Sequence, residues 1–508
     1  MKELNVRNEL ILKNTVFLAT RTLFSLSVSF YTTRIILHQL GASDYGLFSV
    51  IYGIIGFFTF IITAMNDSVQ RYIAIGVGSG DEVLVKNAVK NSFIAFFSLG
   101  VILAVCLLGA KDTILNSILN LPSESEKEAS IVYVASVATI LILIMQTPYN
   151  ALVLSYEKMS FYAYMMIFDM ISKLLLALTL SAIAGDKLII YSILLTGVAV
   201  FNFLIYTLYC FLNFKHSLLG GRINGKQLKE ISVFSFWNVF GNFSYVCRIQ
   251  GINIAINAFF ATTVNAAYAL SITVLNAINS LTQSLITALR PQIFKSYSEH
   301  EKRRYDELVI FGSKYTFSLL YLLGSPIILF SPEIMQLWLG NVPVYTSEFV
   351  QYVIVVALID SLSFSIIAGI QATGKIKIYQ IIVSFFVMIN LPLSYLLFRQ
   401  GFSVLSMFLP FITTSIINLG LRLYFISINS KFNYKRYIKK VILPCSFAAV
   451  ISSIINLLIK EMFDIIGILT LMFGCSLVFL SNVIIFYMTV TSLKEKKWLT
   501  ESLKRKLQ

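Results

Sequence analysis

The sequence predicts an all-α integral membrane fold of about fourteen transmembrane helices with both termini in the cytoplasm. Three observations predict it: a composition poor in charge, apolar runs of membrane-spanning length, and basic residues gathered between alternate runs. Hydrophobic residues make up 57% of the 508-residue chain and charged residues 13%. A soluble domain has about a quarter of its residues charged, so much of this surface is not in water.

Apolar runs separated by polar breaks fall at 12–38, 45–66, 88–110, 130–153, 160–184, 188–212 and 231–255, then at 264–289, 309–330, 347–371, 377–398, 402–426, 437–459 and 464–490. Each approaches the roughly 20 residues that a helix needs to cross the hydrocarbon core. Lipid leaves a bare backbone unsatisfied, and a barrel would alternate in segments of about ten residues, so these runs are helices.

The net charge of +15 reads as topology rather than as a nucleic-acid footprint. With the N-terminus inside, the inner segments carry Lys215, Arg222, Lys226 and Lys229, then Arg290, Lys295, Lys302, Arg303 and Arg304. Further along they carry Lys431, Lys435, Arg436, Lys439 and Lys440, and the tail from Lys494 to Lys506. The outer segments hold only Lys111, Lys127, Lys187, Arg399 and Lys460. A missed or invented helix would scramble this asymmetry downstream. The N-terminus is short and polar and shows no cleavage pattern of a secretory signal.

The cysteines (Cys106, Cys210, Cys247, Cys445, Cys475) are scattered without CxxC spacing, and His38, His216 and His300 lie far apart. Neither a disulfide framework, a metal site nor a cofactor is suggested. The longest outer loop, from Lys111 to Ser130, is too short for a soluble domain, and no carboxylate pair stands at a membrane surface. A membrane glycosyltransferase or polymerase is therefore disfavoured, and the chain is not expected to be an enzyme.

A weak internal repeat is visible. Glu157-Lys158-Met159-Ser160-Phe161-Tyr162 enters the fifth run and Gly374-Lys375-Ile376-Lys377-Ile378-Tyr379 the eleventh, with lysine and tyrosine in register. Leu40-Gly41-Ala42-Ser43 and Phe259-Phe260-Ala261-Thr262 fall near the same offset. The expected organisation is a first lobe over 1–215 (six helices) and a second over 216–428 (six helices). Residues 429–508 add two helices and a basic cytoplasmic tail.

Several stretches carry a resemblance. They are Thr33-Arg34-Ile35-Ile36-Leu37 running into Leu40-Gly41-Ala42-Ser43-Asp44-Tyr45-Gly46-Leu47, and Gln70-Arg71-Tyr72-Ile73. The others are Gly251-Ile252-Asn253-Ile254 with Val264-Asn265-Ala266-Ala267, Arg290-Pro291-Gln292-Ile293-Phe294-Lys295-Ser296-Tyr297, and Gln371-Ala372-Thr373-Gly374-Lys375. In order and spacing, over roughly the first 430 residues, they resemble the polysaccharide-type flippases of the multidrug/oligosaccharidyl-lipid/polysaccharide exporter superfamily. The resemblance implies two six-helix lobes around a cavity, working by alternating access in the bacterial cytoplasmic membrane. The implied cargo is undecaprenyl-pyrophosphate-linked oligosaccharide: repeat units of O-antigen, capsule or exopolysaccharide. The superfamily often couples transport to a proton or sodium gradient, and pathway logic would add a polysaccharide polymerase as partner. A drug/cation antiporter and a peptidoglycan-precursor flippase are the nearest alternatives.

An ionised side chain at mid-helix costs about 2.5–3.5 kcal/mol on insertion scales, so it faces a cavity or a partner. Lys13, Lys314 and Arg422 sit near inner helix ends, where they are expected to snorkel. Arg21, Arg34 and Arg248 lie on the first and seventh runs. Given the resemblance, their planar guanidinium forks suit a substrate pyrophosphate, the plain alternative being a carbonyl partner or, for Arg34, snorkelling. Asp169 and Lys173 stand at i, i+4 on the fifth run, either as a local ion pair or as a pair that takes part in switching. Asp360 is expected alone on the tenth run, as an ion-coupling carboxylate or a protonated core residue. Gln250, Asn253, Asn276 and Asn279, with Asn238, Asn242, Thr282 and Gln283, either line a sugar path or bond between helices. Pro148, Pro326, Pro392 and Pro410 lie in apolar runs, either as kinks where the lobes bend or as ordinary membrane-helix prolines without a hinge role.

Overall fold

The computed structural model describes residues 58–118, 126–182, 185–214, 221–260, 262–462, 467–492 and 495–496, with scattered positions between 24 and 52. Among the described residues the chain is helical. Eleven helices there are long and apolar enough to cross a membrane, matching the third to sixth and eighth to fourteenth apolar runs. The seventh run lies inside the helix Gly225–Phe259, which is not one of the eleven. Its Asn238, Asn242, Arg248, Gln250 and Asn253 lower its hydropathy.

The chain divides into two compact units: residues 1–243 with 294–300, and residues 244–293 with 301–508. In unit 1, α1 (58–79) is followed by α2 (Glu82–Gly109), α3 (Glu126–Ser155), α4 (Met159–Thr179), α5 (Lys187–Asn213) and the first part of α6 (Gly225–Phe259). Helix α3 lies between α2 and α5, and its Tyr133, Val137, Ile140 and Ile144 pack with Val85, Val89, Phe96 and Leu195.

Local signals start these helices. Asp81 accepts from the Leu84 amide at 2.9 Å, and Asp186 accepts from the amides of Leu188 and Ile189, meeting donors that a helix start leaves bare. Ahead of α6, Asn224 caps in the same way. Lys90 Nζ donates to the Gly221 carbonyl at 2.8 Å. A Cβ at Gly221 would stand 2.5 Å from the Lys86 carbonyl oxygen, so glycine permits that approach.

The α3–α4 turn closes with Glu157 in the left-handed region, at φ 56°. The Glu157 amide bonds to the Leu154 carbonyl and the Lys158 amide to that of Val153, the Schellman pattern of helix ends. Gly374, which the sequence match sets opposite Glu157, has φ 77°, and its amide bonds to the Gln371 carbonyl. Glycine takes this conformation freely, whereas a glutamate gives up about 1–2 kcal/mol.

Unit 2 holds the rest of α6 and most of α7 (Thr262–Ser298), then α8 (Lys302–Leu329). The spans that follow are α9 (Thr346–Ser361) with α10 (Phe364–Thr373), and α11 (Lys377–Met388) with α12 (Asn390–Arg399). Helices α13 (Phe408–Ser430), α14 (Leu443–Met462) and α15 (Ile468–Thr489) complete it. Helix α8 and the α9–α10 span are the most enclosed, each 72% buried against 22% for the span of α15. They form the unit's centre, and the outward side chains of α15, such as Leu469, Met472 and Met488, are apolar, as a lipid-facing helix requires. Tyr305 Oη donates to the Gly369 carbonyl, and Asn482 to Ser325 Oγ at 2.7 Å, binding α10 and α15 to α8.

Lys314 does not snorkel. It is buried on α8, and its ammonium donates to both Glu495 oxygens at 2.6 and 2.9 Å. A partner from the segment after α15 satisfies it, so its stem has no need to reach water.

Candidate functional site

Unit 2 contains a buried charge pair beside a turn that joins two helices. Arg248, on α6, is 7% exposed, and its Nη2 lies 3.9 Å from Oδ2 of Asp360, in the last turn of α9. Its guanidinium carbon stands 4.7 Å from the ring centre of Tyr245 and 5.3 Å from that of Phe411, a cation–π setting on two sides. Arg248 Nε is buried without a hydrogen-bond partner among the described residues. At 3.9 Å the pair attracts but does not hydrogen-bond, so each group keeps capacity for another partner.

Just beyond Asp360, at Leu362 and Ser363, regular α-helical bonding gives way to a tight turn, although both residues keep right-handed helical dihedrals. The Ser363 amide bonds back to the Asp360 carbonyl at 2.9 Å, and the Leu362 carbonyl takes a 2.6 Å hydrogen bond from the buried Tyr437 hydroxyl. Ser361, Ser363 and Ser365 around the turn are all buried.

Asp360 is therefore not the lone carboxylate expected from the sequence: Arg248 balances its charge. Tyr245 lies one turn before Arg248 on α6, a legible signal, whereas Phe411 and Asp360 come from distant spans and could not be paired by spacing.

The polar residues divide. Asn253 donates to Gln250 Oε1 at 3.1 Å along α6. The side-chain carbonyl oxygens of Asn253 and Asn279 are buried without a partner among the described residues, while Asn276 is exposed. Thr282 is satisfied by the Asn279 carbonyl on its own helix. Asn238 and Asn242 are inter-helix contacts within unit 1, to Ser68 Oγ at 3.0 Å and the Phe60 carbonyl at 3.4 Å.

In unit 1, Asp169 accepts from Lys173 at 2.7 Å and from Asn202 of α5 at 2.8 Å. This is a local ion pair that also fastens α4 to α5. Arg21 and Arg34 lie outside the described residues.

A MATE crystal structure in the bent conformation aligns with a TM-score of 0.72 at 14% identity, covering 83% of this chain and 96% of that one. The outward-facing multidrug resistance MATE family transporter of the MOP superfamily gives 0.70 at 15%, covering 82% and 97%. A MOP superfamily transporter from Pyrococcus furiosus, whose binding pocket of reverse polarity suggests a different function, gives 0.70 at 13%, covering 83% and 97%. The chain has the MATE transporter fold. No family model matches the sequence, and no curated protein matches it. The MATE fold accounts for nearly the whole length of those structures and for four-fifths of this chain, in agreement with the all-α membrane architecture expected from the apolar runs.

Proposed function

We propose that the chain is a secondary membrane carrier, not an enzyme, that moves its cargo by alternating access. The observation that carries this reading is the buried Arg248–Asp360 pair at the α9–α10 turn, set in a MATE fold. A charge pair enclosed in a membrane helix is costly and is retained where something binds or switches. Both termini in the cytoplasm and a count of about fourteen spans belong to the same reading.

Two cargo classes fit. The solved structures of this fold favour a small-molecule exporter of the drug/cation-antiport type, one of them being a multidrug resistance transporter. Under that reading the Asp360 carboxylate, beside Tyr245 and Phe411, receives an organic cation, with proton or sodium exchange at the same carboxylate. The second class is undecaprenyl-pyrophosphate-linked oligosaccharide in the bacterial cytoplasmic membrane. The buried Arg248 Nε and the side-chain oxygens of Asn253 and Asn279, all without partners among the described residues, favour it. These groups suit phosphate and hydroxyls. A peptidoglycan precursor would use the same arginine.

Proteoliposomes carrying the protein separate the two. Ethidium efflux that depends on an imposed proton or sodium gradient, without movement of a fluorescent undecaprenyl-pyrophosphate oligosaccharide, assigns the small-molecule class. Lipid flipping that fails in Arg248→Ala assigns the oligosaccharide class. Neither activity, in protein that is folded and correctly inserted, overturns the carrier reading.

A further inference from the structure

Helix α7 runs without interruption over Thr262–Ser298, yet its residues up to Ile293 belong to unit 2 and those from Phe294 belong to unit 1. Any movement of one unit against the other must therefore either free the last turn of α7 or bend the helix near that boundary.

The last turn is firmly held. Lys295 Nζ lies 2.5 Å from Glu157 Oε1, and both side chains are largely shielded, at 17% and 10% exposure. Gly78 of α1 lies against the same turn. A Cβ there would stand 2.5 Å from Ser298 Oγ and 3.0 Å from Lys295 Cα, so backbone meets backbone. Glu157 also holds the left-handed position that its counterpart Gly374 fills without strain. A strained non-glycine residue points to a role that glycine could not fill, and here only the carboxylate distinguishes the two.

The bend has a place as well. Pro291 stands inside α7, two residues before the boundary. Proline supplies no amide and crowds the preceding turn, so the helix is weakest there.

We propose that Glu157 is a positioning residue that anchors the last turn of α7 to unit 1 through Lys295 for the whole transport cycle, and that α7 bends at Pro291 instead of letting go. This rests on the carrier reading above but not on which cargo is moved.

The test combines two readouts in a background freed of native cysteines. In the Glu157→Cys/Lys295→Cys protein, joining the two thiols with a reducible bis-methanethiosulfonate reagent long enough to replace both side chains is expected to leave ethidium efflux or lipid flipping within about twofold of the cysteine-free parent. Pro291→Ala is expected to slow transport roughly tenfold, about 1.4 kcal/mol on the limiting step. Transport that stops on cross-linking and returns on reduction overturns the anchor, and Pro291→Ala at the wild-type rate overturns the hinge.

The second readout needs no cargo. A Ser298→Cys probe should be labelled by an impermeant maleimide about tenfold faster in Glu157→Gln, and in Glu157→Gly, than with Glu157 intact, a fold-change of the size expected for losing one shielded ion pair. Glu157→Lys combined with Lys295→Glu should restore protection. Equal labelling in all of these proteins overturns the anchor even if no cargo is transported, whereas the expected labelling with neither cargo moved would strike only the carrier reading.

Discussion

Arg248 and Asp360 approach within 3.9 Å in unit 2 without hydrogen-bonding, the guanidinium lying over Tyr245 and Phe411. Removing one member leaves the other charge enclosed. Losing one partner of a fully buried pair costs about 3–5 kcal/mol. Asp360 is one-fifth exposed, so about 1–3 kcal/mol is expected from either Arg248→Ala or Asp360→Asn. The double variant Arg248→Met/Asp360→Leu should recover most of that loss in thermal unfolding in detergent, yet stay inactive in transport. Stability restored together with activity would reduce the pair to a structural element.

How much of this was legible in the chain depends on range. Eleven helices fall on apolar runs because lipid forces a period-independent signal, a continuous apolar stretch, that needs no tertiary information. Helix ends extend beyond the runs, as in α7, because polar residues such as Arg290 and Lys295 continue the helix without contributing hydropathy. Arg248 and Asp360 stood out singly by the cost of burial, but their meeting depends on packing between α6 and α9, which no spacing encodes. Lys314 misled for the same reason: a lysine near an inner helix end snorkels by default, and only the fold brings Glu495 to it. The strain at Glu157 became visible only once φ angles at the two repeated turns could be set side by side.

The Lys314–Glu495 contact gives a second test. Lys314 is nearly enclosed and Glu495 about one-quarter exposed. Glu495→Ala should lower the unfolding temperature, with a loss of about 1–3 kcal/mol from the unpaired ammonium. Lys314→Met in the same protein should return it to near wild type, because the thioether fills the stem's space without a charge. If Glu495→Ala alone is neutral, the contact does not hold the segment after α15.

Asp44 yields a pH-dependent prediction. Burial, reinforced by the nearby carboxylates of Asp186 and Glu128, raises its pKa above the ordinary 3.8. The folded protein then keeps this proton to higher pH than the unfolded chain does. Stability is therefore lost as pH climbs from the ordinary value through the raised one, and the loss is complete above it. Asp44→Asn removes that dependence. The variant should match wild type in acid and exceed it near neutrality, by under about 1 kcal/mol because the group is mostly solvated. Thermal melts of both proteins across that range check the sign; a variant less stable at neutral pH contradicts it.

Asp169 separates a fastening role from a switching one. Its two bonds differ in character: Lys173 reaches it along α4 from a side chain 45% exposed, while Asn202 reaches it from α5. Without Lys173 the Asp169 carboxylate would stand in the span without its cation, where an ionised group costs about 2.5–3.5 kcal/mol on insertion scales, and a partly buried inter-helix hydrogen bond to a charge contributes about 1.5–3 kcal/mol. Lys173→Met and Asn202→Ala should consequently each lower the unfolding temperature, and Asp169→Asn added to Lys173→Met should recover most of the first loss. A double-mutant cycle of Asp169→Asn and Lys173→Met read in transport should give no coupling beyond that found in stability. A larger coupling in transport than in stability would mean that the pair is remade during the cycle, and would move it from the scaffold into the switching machinery.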